Sequence, residues 1–488
     1  MPRSLSVRAA AAAGAAGAAG AAAGAVLLSD PDRRHRVERQ LRVWRLTARR
    51  GLHWGVVRVR GRWADEAERA RLEESFAIRS AEDVAQVLGG MKGAIMKAGQ
   101  MISFIAEGLP PEAQAALATL QADVPPMAPS LAEQVVREEL GAEPDRLFLE
   151  WDPVPVAAAS IGQVHRAVMP DGRLVAVKVQ YPGVDKAIRS DLDNAELLYG
   201  LFAQFALKNM DVKSLVDELR ARMADELDYR LEAALQAEFA ARYEGHPFIR
   251  VPRVVLERSA RRVLTSEWVE GQRWDEFLQS ADEPARQRAA EVLFRFSQGS
   301  IHRHRVFNGD PHPGNYRFHH DGSVTFLDFG LVKRWSAGEF EQLTPILDAI
   351  LARDPQGTVD AAVKAGFLPP AHGFDADFVY DYVSSPYEPF LTDSFTFRRE
   401  WLAEALQKII DIQGRYGALI RSFNMPTSYV ILDRVVWGMS ALLCHLQATN
   451  DWRALLQEYR LGLPPTTPLG EEEAEWAAGL RRAATPWP

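Results

Sequence analysis

The pattern of hydrophobic and polar positions divides the chain into regions of different structure. In residues 64–122 the apolar side chains recur three and four positions apart, which predicts helices. A proline-rich stretch at 123–129 interrupts this pattern and indicates a linker. Ser130 is then the expected N-cap of a helix over residues 131–140, which Gly141 would end.

Short apolar runs rich in β-branched residues follow the linker and predict a small sheet. An Asp-Gly pair between the second and third runs indicates a hairpin turn. Two long helical stretches, at about 184–209 and 212–244, separate the third run from the fourth. The predicted strands are Phe148–Trp151, Ile161–Val168, Leu174–Val179, Val251–Leu256 and Arg262–Trp268.

Helical spacing dominates after Gly271, apart from two short strands at Asn315–Phe318 and Val324–Leu327. A β-rich lobe with inserted helices, followed by a larger helical lobe, predicts an α+β fold. We divide the chain into a leader (1–29), a helical extension (30–141), a β-rich lobe (142–271), a helical lobe (272–462) and a proline-rich tail (463–488), which we expect to be irregular.

The leader contains an uncharged tract, residues 9–28, built almost wholly from Ala and Gly. Its length suits a membrane span, although Ala and Gly are only weakly apolar. More arginines follow the tract than precede it, which favours a cytoplasmic location for the rest of the chain. A low-complexity leader, a membrane anchor and a signal peptide all remain open. We therefore expect a cytoplasmic protein that could associate with a membrane through this tract.

Composition narrows the class of protein. With 488 residues, 47% apolar and 25% charged, the chain is expected to form two or three globular domains. The net charge of −8 argues against a dedicated nucleic-acid binder, which would normally be basic. The single cysteine excludes an intramolecular disulfide and a thiol metal cluster.

Candidate chemistry begins in the segment Asn308-Gly-Asp310-Pro-His-Pro-Gly-Asn315. Asp328, the first residue of an Asp-Phe-Gly triplet, lies thirteen positions beyond Asn315. Phosphoryl transfer requires oxygen ligands for Mg²⁺ and a carboxylate near the attacking group. Asn315 and Asp328 are the candidate metal ligands, and Asp310 is the candidate catalytic carboxylate. The order of these elements is that of kinases.

A lysine in the run Val175-Ala-Val-Lys178 falls inside a predicted apolar strand. A buried lysine without a partner is unfavourable, so Lys178 is expected to pair with a carboxylate. In kinases the corresponding lysine contacts the nucleotide phosphates and a helix glutamate, for which Glu232 is the candidate.

A loop of small residues precedes Lys178 and occupies the place of a phosphate-binding loop. It comprises Ala157, Ala158, Ala159 and Ser160. Small side chains allow backbone N–H groups to approach a phosphate closely. Because alanine does not adopt positive φ as freely as glycine, we expect this loop to be stiffer than a glycine-rich one.

Together these motifs resemble the AarF/ADCK/UbiB family of atypical kinases, over about residues 85–335. The family pattern has a KxGQ motif, an Ala-rich loop, a strand lysine, an ExD motif, a DPxxxN loop and DFG. The matching residues are Lys97–Gln100, Ala157–Ser160, Lys178, Glu226 to Asp228, Asp310 to Asn315 and Asp328–Gly330.

The resemblance implies a two-lobed, protein-kinase-like fold with a helical N-terminal extension. Lys97 and Gln100 in that extension would cover the nucleotide site, and Glu226 and Asp228 would help to hold it there. The family's properties imply ATP and Mg²⁺ as cofactors, and a lipid or quinone-pathway partner. Peripheral membrane contact would come from residues 9–28 or from an apolar helix face at residues 101–105.

Two departures from ordinary protein kinases bear on the substrate. Asp310 is not preceded by His-Arg, and no Ala-Pro-Glu follows Gly330, so the usual peptide-positioning segment is missing. The main hypothesis is therefore an ATPase or phosphotransferase of lipid or quinone metabolism. The alternatives are a cytosolic small-molecule kinase and a nucleotide-gated, non-catalytic lipid-binding scaffold.

Overall fold

The computed structural model describes residues 127–159, 161–184, 225, 227–410 and 414–484. The leader, most of the helical extension and the first of the two inserted helices lie outside the described residues. So do Lys97, Gln100, Ser160 and Glu226, and the expectations for these four residues stay predictions.

An antiparallel sheet forms the smaller lobe. Its strands are β1 (Glu150–Trp151), β2 (Ala157–Ala159), β3 (Gly162–Val168), β4 (Leu174–Gln180) and β6 (Val263–Glu267). The order is β1-β3-β4-β6, and β2 pairs with the same strand β3 as β1 does. The hairpin between β3 and β4 turns at Gly172, as the Asp-Gly signal predicted.

Three helices accompany this sheet. Helix α1 (Pro129–Leu140) covers the face of β4 that carries Val175, Val177 and Val179, and the short helix α2 (Pro144–Leu147) follows it. The prediction that Ser130 is the N-cap is wrong, because the helix already begins at Pro129, whose fixed φ suits the first helical position. Helix α3 (Tyr229–Arg242) is the described part of the second inserted helix.

The predicted strand Val251–Leu256 is also wrong. Strand β5 is Ile249–Arg250 and pairs in parallel with a strand of the larger lobe. Pro252 has no N–H to donate to a ladder, so the chain leaves the sheet there and forms a 3₁₀ turn at Leu256–Arg258.

The larger lobe is mainly helical. Its helices are α4 (Trp274–Ser280), α5 (Glu283–Gln298), α6 (Glu339–Leu351), α7 (Pro355–Lys364), α8 (Ala376–Val383), α9 (Arg399–Ile410), α10 (Gly417–Ser422), α11 (Thr427–Leu446), α12 (Trp452–Leu461) and α13 (Pro468–Ala484). A π-helical turn, Gly299–His304, extends α5, and a 3₁₀ segment spans Ser385–Phe390. The α+β fold is as predicted.

Short strands lie in the connections between these helices. They are β7 (Val306–Asn308), β8 (Tyr316–Phe318), β9 (Val324–Phe326), β10 (Val332–Arg334), β11 (Phe395–Thr396) and β12 (Thr449–Asn450). Strand β9 pairs with β5 and β8, and β10 pairs with β7. These pairings hold the segments 309–315 and 327–331 next to each other.

Two hydrophobic cores fill the larger lobe. The first core surrounds α5 and the end of α11, with residues such as Phe294 and Leu442. The second core surrounds α6, α7, α10 and the start of α11, with residues such as Ile350 and Val435. Helix α11 therefore runs through both.

Within the described residues, the segment Tyr429–Leu446 of α11 is long and apolar enough to cross a membrane by length and composition alone. Its mean hydropathy is 1.3, and 67% of it is buried inside the protein. Asp433 and Arg434 interrupt its apolar sequence but not the helix.

The expectation of an irregular tail is wrong. Helix α13 occupies most of the segment 463–488 and docks on the larger lobe through Leu469, which is buried in the first core. The prolines lie before residue 469 and after residue 485, so they bracket the helix, and Pro468 takes its first position, where proline is tolerated.

Candidate functional site

Lys178 lies in the middle of the sheet, where β4 pairs with β3 on one side and β6 on the other. Its neighbours Val177 and Val179 point into the core under α1, so strand alternation places Lys178 on the opposite face. Its Nζ donates to Glu232 Oε1 at 2.8 Å and Oε2 at 3.0 Å. The pair predicted from the sequence is present.

Asp328 is a second carboxylate beside this lysine, with Oδ2 at 3.4 Å from Nζ. The ring of Tyr229 lies 5.0 Å from the same nitrogen. Burial opposes the charge of Lys178, but Asp328 and Glu232 outweigh it and raise the pKa of the lysine well above its usual value. The ammonium is therefore a permanent positive charge in the cleft.

Helix α3 carries Glu232, which bonds Lys178 on the face of the sheet opposite α1. Asp228 caps the helix, since its carboxylate accepts from the N–H of Arg230 at 3.1 Å. On the same helix, Phe239 packs against Phe329 of the Asp-Phe-Gly triplet with 4.8 Å between ring centroids. Phe329 is fully buried, so this contact fixes α3 relative to Asp328.

The described hydrogen bonds of the Asp228 side chain are with Arg230. The guanidinium of Arg230 pairs with this carboxylate at 2.5 Å. The family resemblance implied that Asp228 helps to hold the helical extension over the site. Because that extension lies outside the described residues, this role stays a prediction.

Asp310 and Asn315 occupy one tight loop. The side-chain N–H₂ of Asn315 donates to both the carbonyl oxygen and Oδ2 of Asp310, each at 3.1 Å. Asn308 links this loop to Asp328: its Oδ1 accepts from the N–H of Asp310 at 2.8 Å, and its Nδ2 donates to the carbonyl of Asp328. The predicted residues are thus brought together, and Asn308 is a positioning residue that the motif search missed.

Arg434 is the second residue that sequence reasoning missed. From α11 it donates through Nη2 to Asp310 Oδ1, and both side chains are largely buried, at 14% and 8% exposure. The Nε of Arg434 is buried and has no hydrogen-bond partner among the described residues. The sequence signal available for Arg434 was the charged pair Asp433 and Arg434 inside an otherwise apolar helix, because buried charges need partners.

The Ala-rich loop forms one side of a hairpin. Ala157, Ala158 and Ala159 pair with Val164, Gln163 and Gly162 of β3. At Gly162, a Cβ would lie 2.2 Å from the carbonyl oxygen of Val179, so only glycine allows β3 to approach β4 here. The hairpin rests on the strand that carries Lys178.

The segment after the Asp-Phe-Gly triplet is short. Strand β10 follows almost at once, and α6 begins at Glu339, nine residues after Gly330. Arg334 ties β10 to α3 through Glu238 at 2.8 Å. This length leaves little chain for a platform that would bind a peptide substrate.

The two candidate oxygen ligands, from Asp328 and Asn315, suit a metal ion that also binds the phosphates of a nucleotide. The described residues contain no group of three or more His, Cys, Asp or Glu side chains placed to hold a metal. Mg²⁺ in phosphoryl-transfer sites is typically held by one or two protein oxygens together with substrate phosphates. The carboxylate of Asp328 and the amide oxygen of Asn315 fit that pattern.

Comparisons with known proteins agree with this geometry. A family model described as ABC1 atypical kinase-like domain matches residues 119–362. The chain is similar to the mitochondrial atypical kinase COQ8 of Saccharomyces cerevisiae, with 30% identity over 75% of this chain and 74% of that protein. It is also similar to the probable protein kinase UbiB of Marinobacter nauticus, with 31% identity over 56% of this chain and 52% of that protein.

Among solved structures, the chain is similar to Rv3197 of Mycobacterium tuberculosis, described in complex with erythromycin. The TM-score is 0.60 and the identity 33%, over 81% of this chain and 98% of that one. Against several other curated relatives, including a chloroplast protein of Arabidopsis thaliana, the match spans only about half of their length.

Proposed function

The chain belongs to the ABC1 family of atypical kinase-like proteins, the AarF/ADCK/UbiB family, and on this premise we propose that it is a Mg²⁺-dependent ATPase or phosphotransferase. The relatives' names UbiB and COQ8 support a role in ubiquinone or related lipid metabolism. A lipid or quinone-pathway partner follows from the same names.

One observation carries the proposal. Lys178 is paired with Glu232 and also contacts Asp328, while Asn308 joins Asp328 to the loop that holds Asp310 and Asn315. This arrangement places a fixed cation, two candidate metal ligands and a carboxylate around one cleft. Phosphoryl transfer needs these groups, because its catalysis is mostly positioning and charge stabilisation.

Each residue then has a role in the proposed reaction. Lys178, held by Glu232, orients the α- and β-phosphates, and Ala157, Ala158, Ala159 and Ser160 lie along them. Asn315 and Asp328 hold Mg²⁺, which when bound neutralises charge on the transferred group. Asp310 orients the attacking water or hydroxyl and accepts its proton.

One feature favours water or a small hydroxyl compound as the acceptor over a peptide. The segment between Gly330 and α6 is short, so a peptide would find little surface there. In the same proposal, the extension with Lys97 and Gln100, tied by Glu226 and Asp228, restrains access to the cleft.

The test is Mg²⁺-dependent ATP hydrolysis by full-length protein, with and without anionic liposomes. We expect turnover that increases with lipid and falls roughly 100-fold or more in Asp310→Asn, as for loss of a general base. Equal turnover in this variant would contradict the role of Asp310.

Nucleotide binding provides an independent measurement. Asp328→Asn should abolish the Mg²⁺ dependence of ATP affinity, because it removes the charged metal ligand. Asp321→Asn is the matched control, since Asp321 lies in the β8–β9 turn before Asp328 and is half exposed in a pair with Arg250. Unchanged Mg²⁺-ATP affinity in Asp328→Asn would contradict the metal assignment.

A nucleotide-gated scaffold is the second candidate, and the pair between Arg434 and Asp310 is the observation that favours it. The arginine occupies one of the two oxygens through which this carboxylate would accept a proton as a general base. The scaffold predicts that nucleotide binds with Mg²⁺ but that no condition yields turnover, which the same two assays distinguish.

A further inference from the structure

A cavity of about 70 Å³ lies in the larger lobe, and the residues of the proposed nucleotide site do not line it. Its walls come from α5, the π-helical turn, α6, the 3₁₀ segment Ser385–Phe390, α11 and α12. Leu347 and Met439 belong to the first core, whereas Ile346 and Val435 belong to the second. The cavity is therefore the gap where the two cores meet.

The walls are apolar except for a few polar side chains. These are Gln298 on α5, His302 on the π-helical turn, Tyr387 on the 3₁₀ segment and Ser440 on α11. π-Helical turns within α-helices are frequent at functional sites, because the extra residue changes which side chains face a neighbour. Here the turn places Ile301 and His302 on the cavity wall.

One of these polar groups lacks a partner among the described residues. Ser440 donates to the carbonyl of Val436 at 2.8 Å, within its own helix. The Nδ1 of His302 is buried and has no hydrogen-bond partner in that part of the chain. Because buried polar groups normally have a partner, this nitrogen is available to a polar group that enters the cavity.

The cavity presents neutral groups to a ligand. Burial, with the charges of Arg460 and Arg305, lowers the pKa of His302 to about 3, so its ring is uncharged at neutral pH. Burial and the nearby Asp433 carboxylate raise the pKa of Tyr387 to about 12, so its hydroxyl stays protonated. A neutral ligand group that both donates and accepts suits these neighbours.

We propose that this cavity binds a short alkyl chain that carries one hydroxyl group, with the hydroxyl hydrogen-bonded to His302. The volume limits the chain to about two carbons, because it exceeds the space needed for one water but is about half of the roughly 150 Å³ that accommodates benzene. The apolar walls match the alkyl part, and the orphaned imidazole nitrogen matches the hydroxyl. The proposal does not depend on ATP binding or turnover.

The probe is ethanol, titrated into full-length protein and followed by saturation-transfer NMR. We expect saturable binding to the unmodified chain. Ser440→Leu adds side-chain volume where Ser440 lines the cavity, so it should reduce affinity at least tenfold and leave the unfolding temperature equal or higher. Ser440→Ala removes the hydroxyl without filling the space and should bind ethanol as the unmodified chain does.

His302→Phe tests the hydrogen bond. It keeps a planar ring but no nitrogen, and since Nδ1 has no described partner the free protein loses no hydrogen bond there. We expect the dissociation constant of ethanol to rise roughly fivefold, the loss of one neutral hydrogen bond, with xenon uptake unchanged. No saturable ethanol binding, or equal binding by Ser440→Leu, would overturn the proposal.

Discussion

Arg434 holds the central carboxylate of the site in a way that the motifs do not reveal. The DPxxxN pattern identifies Asp310 and Asn315, because their spacing reflects one local loop. Arg434 is more than a hundred residues away in sequence and reaches Asp310 only because α11 passes beside that loop. Gly309 permits this approach: a Cβ there would lie 2.4 Å from Ile431 of α11.

Arg434→Met should destabilise the fold by about 3 kcal/mol, because it leaves Asp310 buried without its cation. Adding Asp310→Asn should restore part of that loss, since a neutral amide no longer needs the arginine. Urea unfolding of the two single variants and the double variant gives the coupling energy. Strictly additive losses would mean that the pair contributes nothing beyond its separate side chains.

Helix α13 shows how an element can be hidden by the composition around it. Its glutamate Glu473 is buried against Arg295, whose side chain is only 1% exposed, at 3.2 Å, and against Arg303 at 2.9 Å. Glu473 also accepts from Tyr459, and the ring of Trp476 makes an edge-to-face contact with His246. The helix is thus built into a buried charge network of the larger lobe.

Glu473→Gln should lower the free energy of unfolding by about 2 kcal/mol, because Arg295 and Arg303 lose a charged hydrogen-bond partner. Arg295 keeps Glu291 and Glu458. The matched control is Glu475→Gln on the same helix, where the side chain is exposed and the change should stay within about 0.5 kcal/mol. Chemical denaturation measures both. Equal stability of the two variants would show that α13 is held by its apolar contacts alone.

The elements that the sequence predicted best are those whose residues signal locally. Strands β3 and β4 follow from β-branched alternation and an Asp-Gly turn, and the pair of Lys178 with Glu232 follows from a buried lysine in such a strand. Tertiary contacts that no local pattern records determine the partner of Arg434, the bond from Asn308 to Asp328 and the docking of α13. The prediction for the tail was wrong because a proline breaks a helix when it lies inside it but is tolerated at the first position, where Pro468 lies.

Across the larger lobe, several histidines are buried among arginines and are kept neutral. Burial, followed by the charges of Arg303 and Arg295, lowers the pKa of His246 to about 3. Burial and the charges of Arg242 and Arg303 lower the pKa of His304 to about 4, and His302 is lowered likewise. These groups surround the π-helical turn and the docking surface of α13.

This arrangement makes the fold sensitive to acid. In the unfolded chain a histidine takes up a proton near pH 6.5, whereas the folded chain resists protonation until pH 4 or below. The unfolded state therefore binds more protons as the pH falls below 6.5, and stability decreases in that direction. Above that pH the contribution is fully present.

His246→Asn should reduce this pH dependence. Between pH 6 and 5 each such histidine contributes a slope of about 1.4 kcal/mol per pH unit, so the variant should lose that amount from the total. Asn retains an acceptor for the backbone N–H groups of Phe248 and Ile249, which now donate to His246 Nδ1.

Urea unfolding at pH 7, 6 and 5 measures the slope, with His320→Asn at an exposed position as control. The packing of Trp476 on the imidazole is lost at every pH, so it shifts the whole curve and leaves the slope as the readout. Parallel curves for the variant and the unmodified chain would mean that His246 has the same pKa in the folded and the unfolded chain.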